Sequence, residues 1–372
     1  MDESSGKIPT VSGTVTSGSK ILFGLAAAVV VLIGMGRISS IVGPVFLALV
    51  LAICVYPIKQ RLVARKVPPA LSTIVSILAV YVMLAALIAA LWVSAVQFTK
   101  LIPQFAPQIS EQKTNLGLFL HDTLGIGDEQ VRSLVNSIDL RVLLNAGFSL
   151  LGSALNLGTA TVFLCLLVLF MCIDATYYPT ILSILSILKK DRAPLVDALA
   201  NFARLSRTFM VMTTIFGAIV ALLNLILLLI LGVPGAGLWA MLAFVCGFIP
   251  FIGFWISLVP AAIMALLSGG LPSFIVVVAF YGVINSLIQS VIQPKFVAGS
   301  VNLNMTLTFL SVIFWSGLLG PLGALMAVPL TLLARAVLVD AHPGSAWLKP
   351  LLGDVSAAKA VLKSERGAAK GH

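Results

Sequence analysis

From residue 21 to residue 338 the chain is built of long apolar runs separated by short polar connections. A helix needs about 20 apolar residues to cross a hydrocarbon core about 30 Å thick. On that criterion eight spans are predicted, at 21–39, 41–57, 70–95, 148–173, 208–232, 238–267, 271–292 and 303–338. The runs are too long and too continuous for the short alternating strands of a membrane β-barrel. The predicted fold class is all-α: a polytopic integral membrane protein of about eight transmembrane helices, with Pro/Gly-broken helices in the C-terminal half.

Composition agrees with the pattern. Over 372 residues the chain is 60% hydrophobic and 10% charged, with a mean hydropathy of +1.12. That leaves too little polar surface to cover a soluble globule. Residues 1–20 are rich in Ser, Thr and Gly and read as a disordered cytoplasmic tail. The run that follows has a weakly basic lead and no small-residue cleavage site, so an uncleaved span is expected. Three N-terminal membrane helices then fill 21–95, a fourth helix and a basic segment fill 148–207, and 208–338 forms a C-terminal transport core.

Charge orients these spans. Lys59, Arg61, Arg65 and Lys66 lie in the loop 58–69, and Lys189, Lys190, Arg192, Arg204 and Arg207 in 174–207. The basic tail 339–372 adds Lys349, Lys359, Lys363, Arg366 and Lys370. All three groups fall on one side if eight spans alternate, and the positive-inside rule makes that side the cytoplasm, with both termini there. The opposite side receives 96–147, which carries five acids against four bases and reads as extracytoplasmic amphipathic helices. The net charge of +10 sits in short loops and tails beside apolar runs, so it serves orientation and no nucleic-acid partner is expected.

Chemistry by cofactor or metal finds little support. Three histidines and four cysteines (Cys54, Cys165, Cys172, Cys246) are scattered without metal-ligand spacing. There is no phosphate-binding G-x-x-x-x-G-K-[ST] loop and no H-E-x-x-H pair. The chain reads as neither an ATP-driven pump nor a zinc protease, and no cofactor or enzymatic activity is expected.

Polar residues concentrate where charge is missing. Between Arg207 and Lys295 no residue is charged, yet Tyr281, Asn285, Gln289 and Gln293 recur every four positions. On a helix they form one slowly drifting stripe, widened by Ser286 and Ser290, with Asn224 on an earlier span as a plausible neighbour. For any one of these residues, tying helices together is the simpler reading. Four on one face beside a helix break favour a route lined by neutral hydrogen-bonding groups, suited to an uncharged polar solute.

The breaks themselves recur at Pro250, Gly253 and Pro260, at Pro294, and at Gly320, Pro321, Gly323 and Pro329. Proline removes a backbone donor and expels the preceding turn. In lipid such backbone persists only where protein or a water-filled cavity receives it, and transporters build sites from interrupted helices. As one straight helix 303–338 would run about 54 Å, so a break at Gly320-Pro321 is expected, which would make 303–319 a re-entrant half-helix. No Asp or Glu lies well inside a predicted span, so a carboxylate relay has little support.

The stretches LGVPGAGLWAMLAFVCGFIPFIG (231–253), QPKFVAGSVNLN (293–304) and LTFLSVIFWSGLLGPLGALMAVPLTLLAR (307–335) resemble the autoinducer-2 exporter (AI-2E) family of bacterial inner-membrane transporters. The resemblance implies export of a small hydroxylated signal by a homo-oligomer such as a pentamer. The chain departs from the family pattern at Gln293, where members often carry an acid, and at Gly247 and Phe251, where they often carry Asn. The expected function is secondary export of a small polar solute such as autoinducer-2. Two alternatives stand beside it: a sodium/proton antiporter, as other members are, and a non-transporting membrane scaffold.

Overall fold

The computed structural model describes residues 17–90, 161–175, 193–293 and 303–341, with a few single positions flanking these blocks. The expectations placed on most of 1–20, on nearly all of 96–147, on Pro294 and on most of the tail 339–372 lie outside the described residues. Within them every regular element is helical. Helices α1 (Ser17–Arg37) and α2 (Ser39–Ala64) are followed by α3 (Pro69–Ala90) and α4 (Thr161–Asp174). Then come α5 (Ala193–Ile230), α6 (Ala236–Cys246) and α7 (Ile252–Ser286), the last continuing as a π-helical turn over Leu287–Ile292. Helices α8 (Met305–Leu319), α9 (Pro321–Leu325) and α10 (Ala327–Arg335) close the described chain, with a second π turn over Ala336–Asp340.

By length and composition α2, α3, α5 and α7 could each cross a membrane, while α4, α6 and α8 are shorter apolar helices. One packed layer joins α2, α3 and α4 through Ala48, Val55, Val80 and Val168. The Tyr81 hydroxyl fastens it by donating to the Cys165 carbonyl at 2.7 Å. A second core unites the C-terminal end of α5 with α6 and α7 through Leu228, Trp239, Met264 and Tyr281. Between the two, α2 and α5 pack against α8 and α10 through Val50, Met210, Leu319, Met326 and Leu330.

The breaks divide by mechanism. Helix α5 ends with Gly232 at a φ of 65°, and Val233 N–H reaches back to the Leu228 carbonyl at 2.9 Å. This is the six-to-one bond that closes a helix over a left-handed glycine. The run 238–267, expected as one span, is two helices. Helix α6 holds only 11 residues, about 16 Å of rise and about half a hydrocarbon core. It stops because Pro250 has no donor to extend the ladder, and the chain turns before α7 begins. A Cβ on Gly253 would collide with the Cys246 carbonyl, so only glycine lets α7 leave this closely beside α6.

Helix α7 in turn is two arms, 252–269 and 271–286, meeting at Gly270, whose φ of 68° and ψ of −167° lie outside the helical range. In a straight helix Gly253 and Asn285 would stand about 48 Å apart. Both face one cavity, so the arms fold back on each other at Gly270. The run 303–338 reverses likewise at Gly320 (φ 68°, ψ −150°). Pro321 then takes the first helical position of α9, where its missing donor costs no bond. Gly323 lies so close under the Trp315 carbonyl that no side chain fits there, and Trp315 Nε1–H donates to Thr331 Oγ1 at 3.0 Å across the return.

Two prolines behave differently from the expectation of breaks. Pro260 sits inside the first arm of α7, where the only non-helical backbone is Gly270. A proline's φ near −65° is itself helical, so it bends a helix more readily than it ends one. Pro329 is the third residue of α10, within the first turn, where backbone donors have no intrahelical partner anyway. The irregular residue there is Met326, at φ −96° and ψ 7°.

Pro57, inside α2, removes the donor that would have bonded the Ile53 carbonyl. Arg207 on α5 supplies a replacement: its Nε donates to Ile53 O at 2.9 Å, and its guanidinium lies 6.0 Å from the Tyr56 ring centroid. Because Arg207 meets Ile53 while Met210 packs in one cluster with Val50, α2 and α5 run antiparallel here. The basic C-terminal end of α2 therefore lies beside the charged N-terminal part of α5. That part is continuous with the apolar part, so the domain boundary expected at 207 falls inside one helix.

Gly253→Ala and Gly323→Ala are each expected to lower the unfolding temperature of the detergent-solubilised protein by several degrees, whereas Gly282→Ala, whose added Cβ meets nothing within 4 Å, leaves it unchanged. Arg207→Met should cost about 1–2 kcal/mol. In a thermal-shift series, Pro57→Ala should recover part of that loss by restoring a donor to Ile53.

Candidate functional site

The sequence stripe acquires its surroundings from three helices. The cavity lies between the middle of α5, the C-terminal end of α6 and both arms of α7, and encloses about 470 Å³ including its open side. Tyr281, Asn285, Gln289 and Gln293 line it from the second arm of α7 and the π turn; Asn224 and Thr213 line it from α5, and Gly253 and Ser257 from the first arm. Five residues singled out for a solute route thus face one space, together with Gly253 from the group of breaks.

The π turn helps to align the stripe. Its i→i+5 bonding takes more residues per turn than the 3.6 of an α-helix. Asn285, Gln289 and Gln293 therefore drift less around the axis than they would on an unbroken α-helix. Gln289 Nε2 donates to Asn285 Oδ1 at 2.8 Å, so the two amides act as a pair. Burial grades along the stripe: Tyr281 is 2% exposed, Asn285 and Gln293 are partly buried, and Gln289 is exposed. The cavity is closed at the Tyr281–Asn224 end and opens past Gln289.

Among the described residues, three buried polar atoms on the wall have no hydrogen-bond partner: Thr213 Oγ1, Asn224 Oδ1 and Tyr281 Oη. A buried polar group left unsatisfied costs about 1–3 kcal/mol. Groups that face a cavity are the ones that a polar molecule inside it can satisfy. None of the fifteen lining residues is charged.

Sequence reasoning missed Thr213, Ser257 and Gly217 on this wall. Gly217 and Gly247 let α5 and α6 approach closely: a Cβ on Gly247 would stand 3.2 Å from the Phe244 carbonyl oxygen and 3.9 Å from the Gly217 Cα. Thr213 had a legible signal, since it lies eleven residues, close to three whole turns, before Asn224. Ser286 is exposed and does not line the cavity, and the Ser290 side chain lies outside the described residues. Pro250, Pro260, Gly320, Pro321, Gly323 and Pro329 shape the backbone without lining the cavity.

The turn between α6 and α7 carries the sharpest backbone distortion. Phe251 has φ 65° and ψ −52°, and Ile252 N–H donates to the Pro250 carbonyl at 2.7 Å. This is a γ-turn of the rare positive-φ kind, which stores strain for a residue with a side chain. The Phe251 ring rests edge-on against Phe309 of α8, centroids 6.1 Å apart.

Residues 21–341 match the family model described as AI-2E family transporter. The chain belongs to the AI-2E transporter family. Among its relatives, the AI-2 transport protein TqsA of Escherichia coli K12 is 28% identical over 343 residues, covering 91% of this chain and 97% of that protein. YhhT of the same strain, whose name proposes transport without establishing it, is 26% identical over 344 residues, covering 91% and 95%. A Haemophilus influenzae protein with a similarly provisional transport name is 28% identical over 338 residues, covering 90% and 97%. Membership makes this AI-2E protein a membrane transporter. Gly247 and Gln293 line the cavity, and Phe251 holds the strained turn beside it.

Tyr281→Phe is expected to leave thermal stability unchanged or to raise it slightly, because it deletes a buried hydroxyl with no protein partner. A clear loss of stability on thermal melting would assign that hydroxyl to holding the fold.

Proposed function

We propose that this protein is a secondary exporter of small, uncharged, hydroxyl-bearing solutes such as autoinducer-2, and that the solute passes through the cavity between α5, α6 and α7. The observation that carries the reading is the lining: amides and hydroxyls from α5 and both arms of α7, three of whose buried polar atoms lack partners among the described residues, with no charged side chain among them. A hydroxylated solute both donates and accepts hydrogen bonds, and so complements such a wall without the desolvation cost of a charge. The name of TqsA as an AI-2 transport protein supports the solute class.

Tyr281, Asn285, Gln289, Gln293 and Asn224 are the proposed hydrogen-bonding contacts. The free space admits about two water molecules, so passage of a larger solute requires the walls to separate. The reversals at Gly253 and Gly320 and the strained turn at Phe251 mark where the chain can flex, and Pro250 and Pro321 delimit them. The proposed setting is the bacterial inner membrane, with both termini cytoplasmic and several copies assembled in a homo-oligomer. An antiporter would need a titratable or cation-binding group in the route, and the lining supplies no carboxylate.

The test is uptake of autoinducer-2 into inside-out vesicles, with and without an imposed proton gradient, for the wild type and for Asn285→Leu/Gln289→Leu. The expected result is uptake by the wild type and a loss of at least tenfold in the double variant at equal membrane abundance. Equal uptake by both would remove the stripe from the mechanism. No uptake above empty vesicles, with collapse of a pH gradient on adding sodium, would replace the exporter with the antiporter.

A further inference from the structure

The unpartnered polar atoms of α5 extend beyond the cavity. Among the described residues Ser206 Oγ has no hydrogen-bond partner, and Ser206 is 0% exposed. Ser206, Thr213 and Asn224 are seven and eleven residues apart. On a helix of 3.6 residues per turn they therefore fall within about 20° of a single line. Gly217 lies on the same line, without a side chain. The row spans about 27 Å, and all three of its polar side chains are more than nine-tenths buried.

Length decides what the row can be. Thr213 and Asn224 alone are separated by about 16 Å of helix rise, too far for one cation or one small solute to bridge. A row of this length serves successive contacts along a path better than it serves one binding site. It also runs toward the end of α5 where Arg204 and Arg207 lie beside the basic end of α2.

What separates Ser206 from the cavity is apolar. Met210 lies between Ser206 and Thr213 on the same face, and it packs in one cluster with Val50, Leu319, Met326 and Leu330, with Phe248 against them. Phe248 belongs to the α6–α7 turn, three residues before the strained Phe251, and meets Phe244 edge-on at 5.7 Å. Methionine is unbranched and adapts its shape at small cost, and a hydrophobic constriction closes a polar path by excluding water.

We infer that the solute route continues from the cavity along α5 to an inner polar station at Ser206, and that Met210, Phe248 and Met326 form the apolar gate between them. The inference rests on the proposed transport reading and adds to it the gate, the inner station and the direction of access. Movement of the α6–α7 turn would withdraw Phe248 from the gate, which couples the strained turn to opening.

The experiment reads access and not transport. In full-length protein with Cys54, Cys165, Cys172 and Cys246 changed to Ala, Ser206→Cys is exposed in membrane vesicles to a small cationic methanethiosulfonate reagent. It is compared with Leu228→Cys, equally buried in the apolar core. The expected result is slow labelling of Ser206→Cys, accelerated at least tenfold by Met210→Ala or, independently, by Phe248→Ala, with Leu228→Cys unreactive throughout. Two gate variants are used so that misfolding of one leaves the other to decide. Labelling of Ser206→Cys no faster than Leu228→Cys in every background would overturn the route to Ser206, while leaving the dependence of uptake on Asn285 and Gln289 as it stands. Equal acceleration at both positions would show general loosening and would overturn the gate.

Discussion

Hydrocarbon offers no hydrogen-bond partner to an interrupted backbone, so a membrane chain can leave the helix only where the protein itself receives the freed groups. That constraint organises this molecule. Where Pro57 strips the donor from the Ile53 carbonyl, a guanidinium from another helix takes its place. Where α6 ends, Ile252 and Gly253 N–H groups turn back onto the Pro250 and Ile249 carbonyls. Where α8 ends, the Gly320 N–H returns to the Ser316 carbonyl, and Gly323 folds in under Trp315. Each of these interruptions is sealed by the protein itself, locally at the two turns and from another helix at Pro57, which is how proline and glycine residues coexist with long apolar helices.

Sealed interruptions shape space. An α6 of half-membrane length and an α7 folded double bring a stripe from one arm against the start of the other and against the middle of α5. The polar atoms left without partners gather on that inner wall, and at Ser206 on the same face of α5. A soluble protein would satisfy such atoms or replace them, since each costs about 1–3 kcal/mol. Ser206, Thr213 and Asn224 fall along one line of α5, with Tyr281 facing the cavity from α7, the arrangement expected when a passing polar molecule is the missing partner.

The family gives this arrangement its setting without fixing its solute. Relatives at 26–28% identity cover about nine-tenths of the chain, and none of the residues lining its cavity is charged. Gly247 carries no side chain where α5 and α6 meet, and Gln293 presents a neutral amide to the cavity. Both residues shape what the wall can hold, which on the proposed reading is a neutral solute.

Local chemistry made part of this legible from residue order alone. Apolar run length demanded membrane helices, and spacing by four put Tyr281, Asn285, Gln289 and Gln293 on one face. The missing donor of Pro250 and the open backbone of Gly320 marked reversals, because those constraints act within a turn of the residue that carries them. Other features depend on contacts between segments far apart in sequence, and only the tertiary structure decided them. Pro260 sits within a helix that stays intact around it, and Pro329 falls in a first turn where its missing donor is harmless. Gly270 folds α7 onto itself, so that Asn285 meets Gly253 across a cavity and not along 48 Å of helix, a distance of about that size by helical rise. Ser206 reads as an ordinary helix residue until the packing around α5 shows that no described residue answers its hydroxyl.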